Sequence, residues 1–222
     1  MQLRNVSEEF ARTHLGGVTG VRLIKELRGE PAKDMEEELV SKKMIATTRM
    51  FGNPVNNITD IKEAIATYTS RAAEKLRRQH SAAKVISVFV VKKSQDHMLS
   101  FNRSGTISTY TTLPAATSFT NELIKPALEL VDELFEEGEY YKKAGVMLSG
   151  IIPDNSIQAN LFATETKNCE RRLMDMIDNV NFSQRDDVLK FAASGTTKDW
   201  KMRQELRSGR YTTRWEELFE VH

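Results

Sequence analysis

The sequence predicts an α+β fold. Its centre is a split β-α-β-β-α-β domain, a four-stranded antiparallel sheet with two helices on one face, preceded by helices and followed by a small α/β tail. Three observations predict it. Between residues 43 and 148 the apolar period switches from that of a strand to that of a helix and back, twice. The β-branched run Val85–Val91 needs burial, as an inner strand would have it. Turn-forming residues punctuate the switches, Gly52-Asn53-Pro54 the plainest of them.

Taken in order, residues 7–28 read as helix, with Phe10, Val21, Ile24 and Leu27 apolar and a break at Gly16-Gly17. Gly29-Glu30-Pro31 ends it, an acidic linker over 34–38 follows, and the segment is too short to be expected to own a core. Met44–Phe51 is a strand. A long helix follows, with Asp60 and Glu63 spaced as a capping box. Ile58, Ile61, Ile65, Tyr68, Ala72 and Leu76 form its apolar side, and Arg71, Lys75 and Arg78 a basic stripe expected to face solvent. After Val85–Val91 come a loop over 95–102 and a Thr/Tyr-rich strand, Thr106–Thr112. The amphipathic helix Thr120–Glu137 follows, with Pro126 awkwardly deep in it, and then a last strand, Tyr140–Leu148. Beyond Gly150, Ile151–Ser156 reads as a loop, Glu170–Asn179 as a helix and Val188–Ala192 as a strand.

Composition bounds the function. The formal net charge of +1 conceals an asymmetry: residues 41–112 hold twelve Lys/Arg against four acids, whereas 113–140 hold one lysine against seven acids. A basic block beside an acidic one fits a face that grips a polyanion, or two ordinary charged helix faces. Cys169 is the lone cysteine and the four histidines are scattered, so neither a disulfide nor a metal-ligand spacing is present. Asp186-Asp187 is an adjacent acidic pair in a polar turn, expected to be solvated surface. Sequence-specific RNA reading is disfavoured, because Phe89 is the one aromatic on the inner strand and lacks the glycine context of an RNA-recognition motif. No apolar run is long enough to span a bilayer and no signal peptide opens the chain, so a cytoplasmic protein is expected, with no membrane contact.

Specific stretches carry a family resemblance. Glu26-Leu27-Arg28-Gly29-Glu30-Pro31, Ala72-Ala73-Glu74-Lys75-Leu76-Arg77 and Tyr141-Lys142-Lys143-Ala144-Gly145-Val146-Met147-Leu148 resemble the thumb end and little finger of UmuC-like Y-family translesion DNA polymerases. Trp200-Lys201-Met202-Arg203 and Ser208-Gly209-Arg210-Tyr211-Thr212-Thr213-Arg214-Trp215 resemble the C-terminal tail domain of that family, which has no assigned function. Gly209 departs from the pattern, standing where proline is expected, which should loosen the turn before Tyr211. The resemblance implies four parts: residues 1–38 as the end of the thumb with a linker, 39–150 as a DNA-binding little finger, 151–168 as a linker, and 169–222 as the tail domain.

The same resemblance places the palm, with its metal-binding carboxylates, upstream of this chain. No catalytic residue, metal ligand or cofactor is therefore expected here, magnesium belonging to the whole polymerase. The family's phosphate-contacting positions carry over to Thr47, Thr48, Arg49, Lys92, Lys93 and Arg103, where cations would neutralise phosphates irrespective of base sequence. Gln158-Ala159-Asn160-Leu161-Phe162 resembles the pentapeptide by which bacterial polymerases dock on the β sliding clamp. An amide would orient the peptide and a Leu-Phe pair would fill an apolar pocket; the alternative is that Leu161 and Phe162 anchor the linker to the core. Implied partners are damaged or primer-template DNA, the sliding clamp and a UmuD-like subunit, in translesion synthesis during the SOS response. The rival expectation is a free-standing DNA- or clamp-binding module that copies nothing.

Overall fold

Asn57 starts the longest helix by accepting the Thr59 N–H on its side chain, and the resulting helix α3 (Ile58–Arg78) lays its apolar side on a sheet. The computed structural model describes residues 3–33, 41–93, 105–157, 168–184, 187–196, 199–202 and 207–218. These fall into two units, Met1–Ser41 and Lys42–His222.

In the first unit, helices α1 (Glu8–His14) and α2 (Val18–Leu27) are separated at Gly16 and Gly17, whose φ of +89° and +69° disfavour residues with a Cβ. Contrary to expectation the unit owns a small core, in which Val6, Ala11, Val21 and Ile24 are buried together. Phe10 and Leu27 stay exposed. Arg28 closes the unit by donating from Nη2 to the Val6 carbonyl at 2.8 Å and from Nε to that of Arg4 at 3.1 Å.

The second unit holds strands β1 (Ile45–Val55), β2 (Ser81–Lys92), β3 (Thr106–Thr117) and β4 (Tyr141–Pro153), with helix α4 (Thr120–Leu134) preceding the last. The sheet order is β1-β4-β2-β3 with every neighbouring pair antiparallel, so β1-α3-β2 and β3-α4-β4 each cross over one intervening strand. Both helices pack on the same face. Ile61, Ile65, Tyr68, Ala72 and Leu76 of α3 and Leu123, Ala127 and Val131 of α4 are buried against Ile45, Ile86, Val88, Val90, Val146 and Leu148. A helix α5 (Asn168–Gln184) follows.

Several elements differ from the sequence expectation for physical reasons. The cap of α3 is Asn57, so Asp60 sits inside the first turn, where its charge favours the helix N-terminus. β1 runs past Gly52-Asn53-Pro54 to Val55 because later chain pairs with it: the Gly52 N–H donates to the Trp200 carbonyl at 3.0 Å and Phe51 bridges Lys201. β3 tolerates Pro114 because it is an edge strand. Ile151–Pro153 are strand rather than loop, paired with Ser81–Ala83. Val188–Ala192 forms no strand: Leu189 spends its backbone N–H and carbonyl on the Asn181 side chain, and a 3-10 turn follows at Ala192–Ser194.

Candidate nucleic-acid interface

Between its irregularities, strand register assigns the sheet residues to faces, because successive side chains alternate. Three rows face the helices: Ile45-Leu148-Ile86-Thr111, Thr47-Val146-Val88-Thr109 and Arg49-Ala144-Val90-Ile107. Three alternate with them on the opposite face: Ala46-Met147-Ser87-Tyr110, Thr48-Gly145-Phe89-Ser108 and Met50-Lys143-Val91-Thr106. Neither α3 nor α4 covers this second face. Its polar groups are hydroxyls and the Lys143 ammonium, and none of the three rows carries an acid. Tyr110 is 70% exposed at its rim.

Gly145 organises the middle of this face. A Cβ there would lie 2.5 Å from the Phe89 ring and 2.7 Å from Thr48, so only glycine lets the ring lie across β4. The Lys143 ammonium sits over that ring, 5.9 Å from its centroid. Among the described residues no carboxylate pairs with Lys142 or Lys143. The result is a shallow, uncharged-to-cationic surface with an apolar centre.

The sequence-derived phosphate positions are not brought together on it. Thr48 lies on the open face, its hydroxyl donating to the Ala144 carbonyl at 3.2 Å. Thr47 and Arg49, its chain neighbours, fall on the helix side: the Thr47 hydroxyl is buried without a hydrogen-bond partner, and Arg49 is exposed at the edge beside Tyr68. Burial pushes the Tyr68 hydroxyl up to about 12, with Arg49 pulling weakly the other way. Lys92 is engaged by Glu136 at 2.5 Å and Glu139 at 3.7 Å, and the hydrogen bond to Glu136 raises its ammonium above the ordinary lysine range. Lys93 is exposed where β2 ends. Arg103 lies outside the described residues, as do Gln158, Ala159, Asn160, Leu161 and Phe162.

The basic stripe of α3, Arg71, Lys75 and Arg78, is exposed, but Arg77 beside it meets the chain's own tail, and Arg71 and Arg78 are engaged at their tips. Arg77 grips Asp178 of α5 with two hydrogen bonds of 2.6 and 2.7 Å, and also donates to the Ser118 carbonyl and the Thr120 hydroxyl. Arg71 pairs with Asp187 at 2.8 Å and Glu74 at 3.1 Å, which corrects the expectation of Asp187 as solvated surface. Arg78 pairs with Glu74 at 2.7 Å and lies over the Phe182 ring. Trp200 is buried edge-on between Phe51 and Tyr68, at ring separations of 6.3 and 5.8 Å.

Sequence reasoning did not bring Lys143, Phe89 and Gly145 together as a unit. Strand alternation alone could have placed Lys143 and Phe89 together, given the register. Among the described residues no group of three His, Cys, Asp or Glu side chains could hold a metal ion, so no metal step is assigned to them. No helix among them is long and apolar enough to cross a membrane.

Known proteins resemble this chain along its whole length. The profile of the impB/mucB/samB family C-terminal domain matches residues 42–161, and a second profile, described only as a domain of unknown function, matches 171–221. Protein UmuC of Salmonella typhimurium is 35% identical over 222 residues, all of this chain and 52% of UmuC. Protein SamB of Salmonella typhimurium is 31% identical over 219 residues, 98% of this chain and 50% of SamB. Among solved structures, an insertion ternary complex of Dbh DNA polymerase aligns at 16% identity and a TM-score of 0.38, over 68% of this chain and 41% of that one. The chain thus spans about half the length of the curated relatives it matches. With the family's C-terminal domain laid over the four-stranded unit and UmuC aligned along every residue, this chain belongs to the impB/mucB/samB family.

Proposed function

We propose that this chain is the DNA-gripping region of a UmuC-like translesion DNA polymerase, and that the open face of its sheet lies against the DNA backbone. The observation that carries the reading is the open face, whose three rows hold no acid, with Lys143 in its end row over the Phe89 ring and Lys142 and Lys93 next to that end. A lesion-bypass enzyme must hold DNA whose bases are damaged, so its contacts go to phosphate and sugar, for which lysine ammonium and hydroxyl groups suffice. An apolar patch around Phe89 and Met147 adds contact area without reading a base. Of the residues carried over from the family pattern, Thr48 and Lys93 suit this surface best. Lys92 contributes less, being already neutralised by Glu136.

Residues Gln158–Phe162 then serve as the sliding-clamp peptide, following directly on β4 and the turn at Asp154–Ser156. Nucleotidyl transfer, with its magnesium ions, and any UmuD-like partner are assigned to the whole protein acting in SOS repair in the cytoplasm. The test is duplex binding across a salt series. Lys143→Gln is expected to weaken binding and to reduce the log–log salt slope by about 0.9, the share of one phosphate contact. Binding indifferent to salt, or unchanged by the substitution, removes the open face from the interface. Leu161→Ala with Phe162→Ala is expected to abolish capture by the clamp with DNA binding intact; retained capture removes the clamp assignment.

A further inference from the structure

We propose that the Arg71–Arg77–Arg78 face of α3 is a second phosphate site for a DNA strand, and that the tail holds it closed with its own carboxylates. This goes beyond the open-face interface, which lies on the other side of the sheet. Arg71 and Arg77 line one cleft between α3, α5 and the chain after α5, and Lys190 lines it with them. Asp178 and Asp187 enter that cleft and take the guanidinium groups, Asp178 in the two-pronged geometry that a phosphate would also satisfy. Glu74, on α3 itself, offsets part of the charge through Arg71 and Arg78. Without the two aspartates the cleft is strongly cationic.

At α5 the contact has the character of a latch, whereas the chain beyond it is anchored by Trp200 in the core. Of the residues of α5 from Arg171 onward, Met174 alone is buried, while Leu173, Met176, Val180 and Phe182 remain exposed. Little apolar burial therefore ties α5 down, and ion pairs do most of the holding. Each carboxylate keeps 23% of its side-chain surface exposed, so solvent, salt and competing anions reach it. A DNA strand presents many phosphates in series and competes for the arginines as a polyanion, where free phosphate competes singly. α5 with its flanking aspartate is accordingly a nucleic-acid mimic that withholds this part of α3 until DNA displaces it.

The experiment uses the full chain. Asp178→Asn combined with Asp187→Asn is titrated with a mixed-sequence single-stranded oligonucleotide at several salt concentrations. The expected result is tighter binding and a log–log salt slope steeper by about 1.4, two released guanidinium groups at about 0.7 each on a single strand. Slope and affinity equal to those of the parent overturn the proposal. Adding Lys143→Gln separates the two interfaces, because the gain from the aspartate changes is expected to persist even where the open face contributes nothing. Hydrogen exchange on the parent chain decides the matter should the double variant fold poorly. Saturating oligonucleotide is expected to speed exchange in α5 and slow it in the last turns of α3, and unchanged exchange in α5 overturns the latch.

Discussion

The two sides of the sheet hold their cations differently. On the helix side Lys62 meets Asp132 at 2.6 Å, Arg71 meets Asp187, Arg77 meets Asp178, Arg78 meets Glu74 and Lys92 meets Glu136. On the open side Lys143 rests over an aromatic ring in rows without an acid. The basic block and the acidic block that look separate along the chain are therefore folded onto each other, and α4 neutralises part of the surplus preceding it. Charge counted along a sequence measures supply. What a polyanion meets is what remains after intramolecular pairing, and on the open side that remainder includes Lys143.

The comparison breaks most visibly in stability. Leu148 and Met147 are consecutive residues of β4 on opposite faces, one fully buried and the other half-buried. Leu148→Ala is expected to lower the unfolding free energy by about 3 kcal/mol, while Met147→Ala costs under ~1 kcal/mol. Denaturant midpoints measure both, and equal losses would mean that the open face is covered. Next comes Arg77→Ala, which strips four hydrogen bonds from a nearly buried guanidinium and strands Asp178; a loss of about 2 kcal/mol is expected in the same assay. A loss near zero would leave the tail unattached to α3.

The smallest effect sits at Tyr68. Its hydroxyl is buried without a hydrogen-bond partner, so Tyr68→Phe should change stability at neutral pH by less than ~0.5 kcal/mol. Alkaline pH sharpens the contrast. The folded-state value, near 12, exceeds the ordinary 10.0, so the fold favours the protonated phenol. The stability linked to it is complete below pH 10 and is lost as pH climbs toward 12. The parent should lose stability over that window more steeply than Tyr68→Phe, and parallel curves would show that the hydroxyl is not buried.

Much of the fold was legible because apolar period responds to burial alone. Ile61, Ile65, Tyr68, Ala72 and Leu76 announce the inner side of α3, and Val85–Val91 the inner strand. Element ends were less legible where long-range pairing sets them: β1 continues past Pro54 because Trp200 and Lys201 come back to it, a contact no local window contains. The proposed DNA-facing surface was not legible residue by residue. Thr47, Thr48 and Arg49 are consecutive, and a strand must send the middle one to the face opposite its neighbours. Lys92 and Arg71 read as available cations because Glu136 and Asp187 lie 44 and 116 positions away. Pairing over such distances leaves no local signature.

Lysine footprinting shows which side of the sheet meets DNA. The chain is acetylated at low reagent dose with and without a saturating DNA duplex, and each lysine's reactivity is compared. Lys143, Lys142 and Lys93 are expected to be protected, with Lys62, held by Asp132 on the helix side, reacting alike in both samples. Protection of Lys62 with Lys143 left fully reactive would put the DNA on the wrong side of the sheet and contradict the assignment.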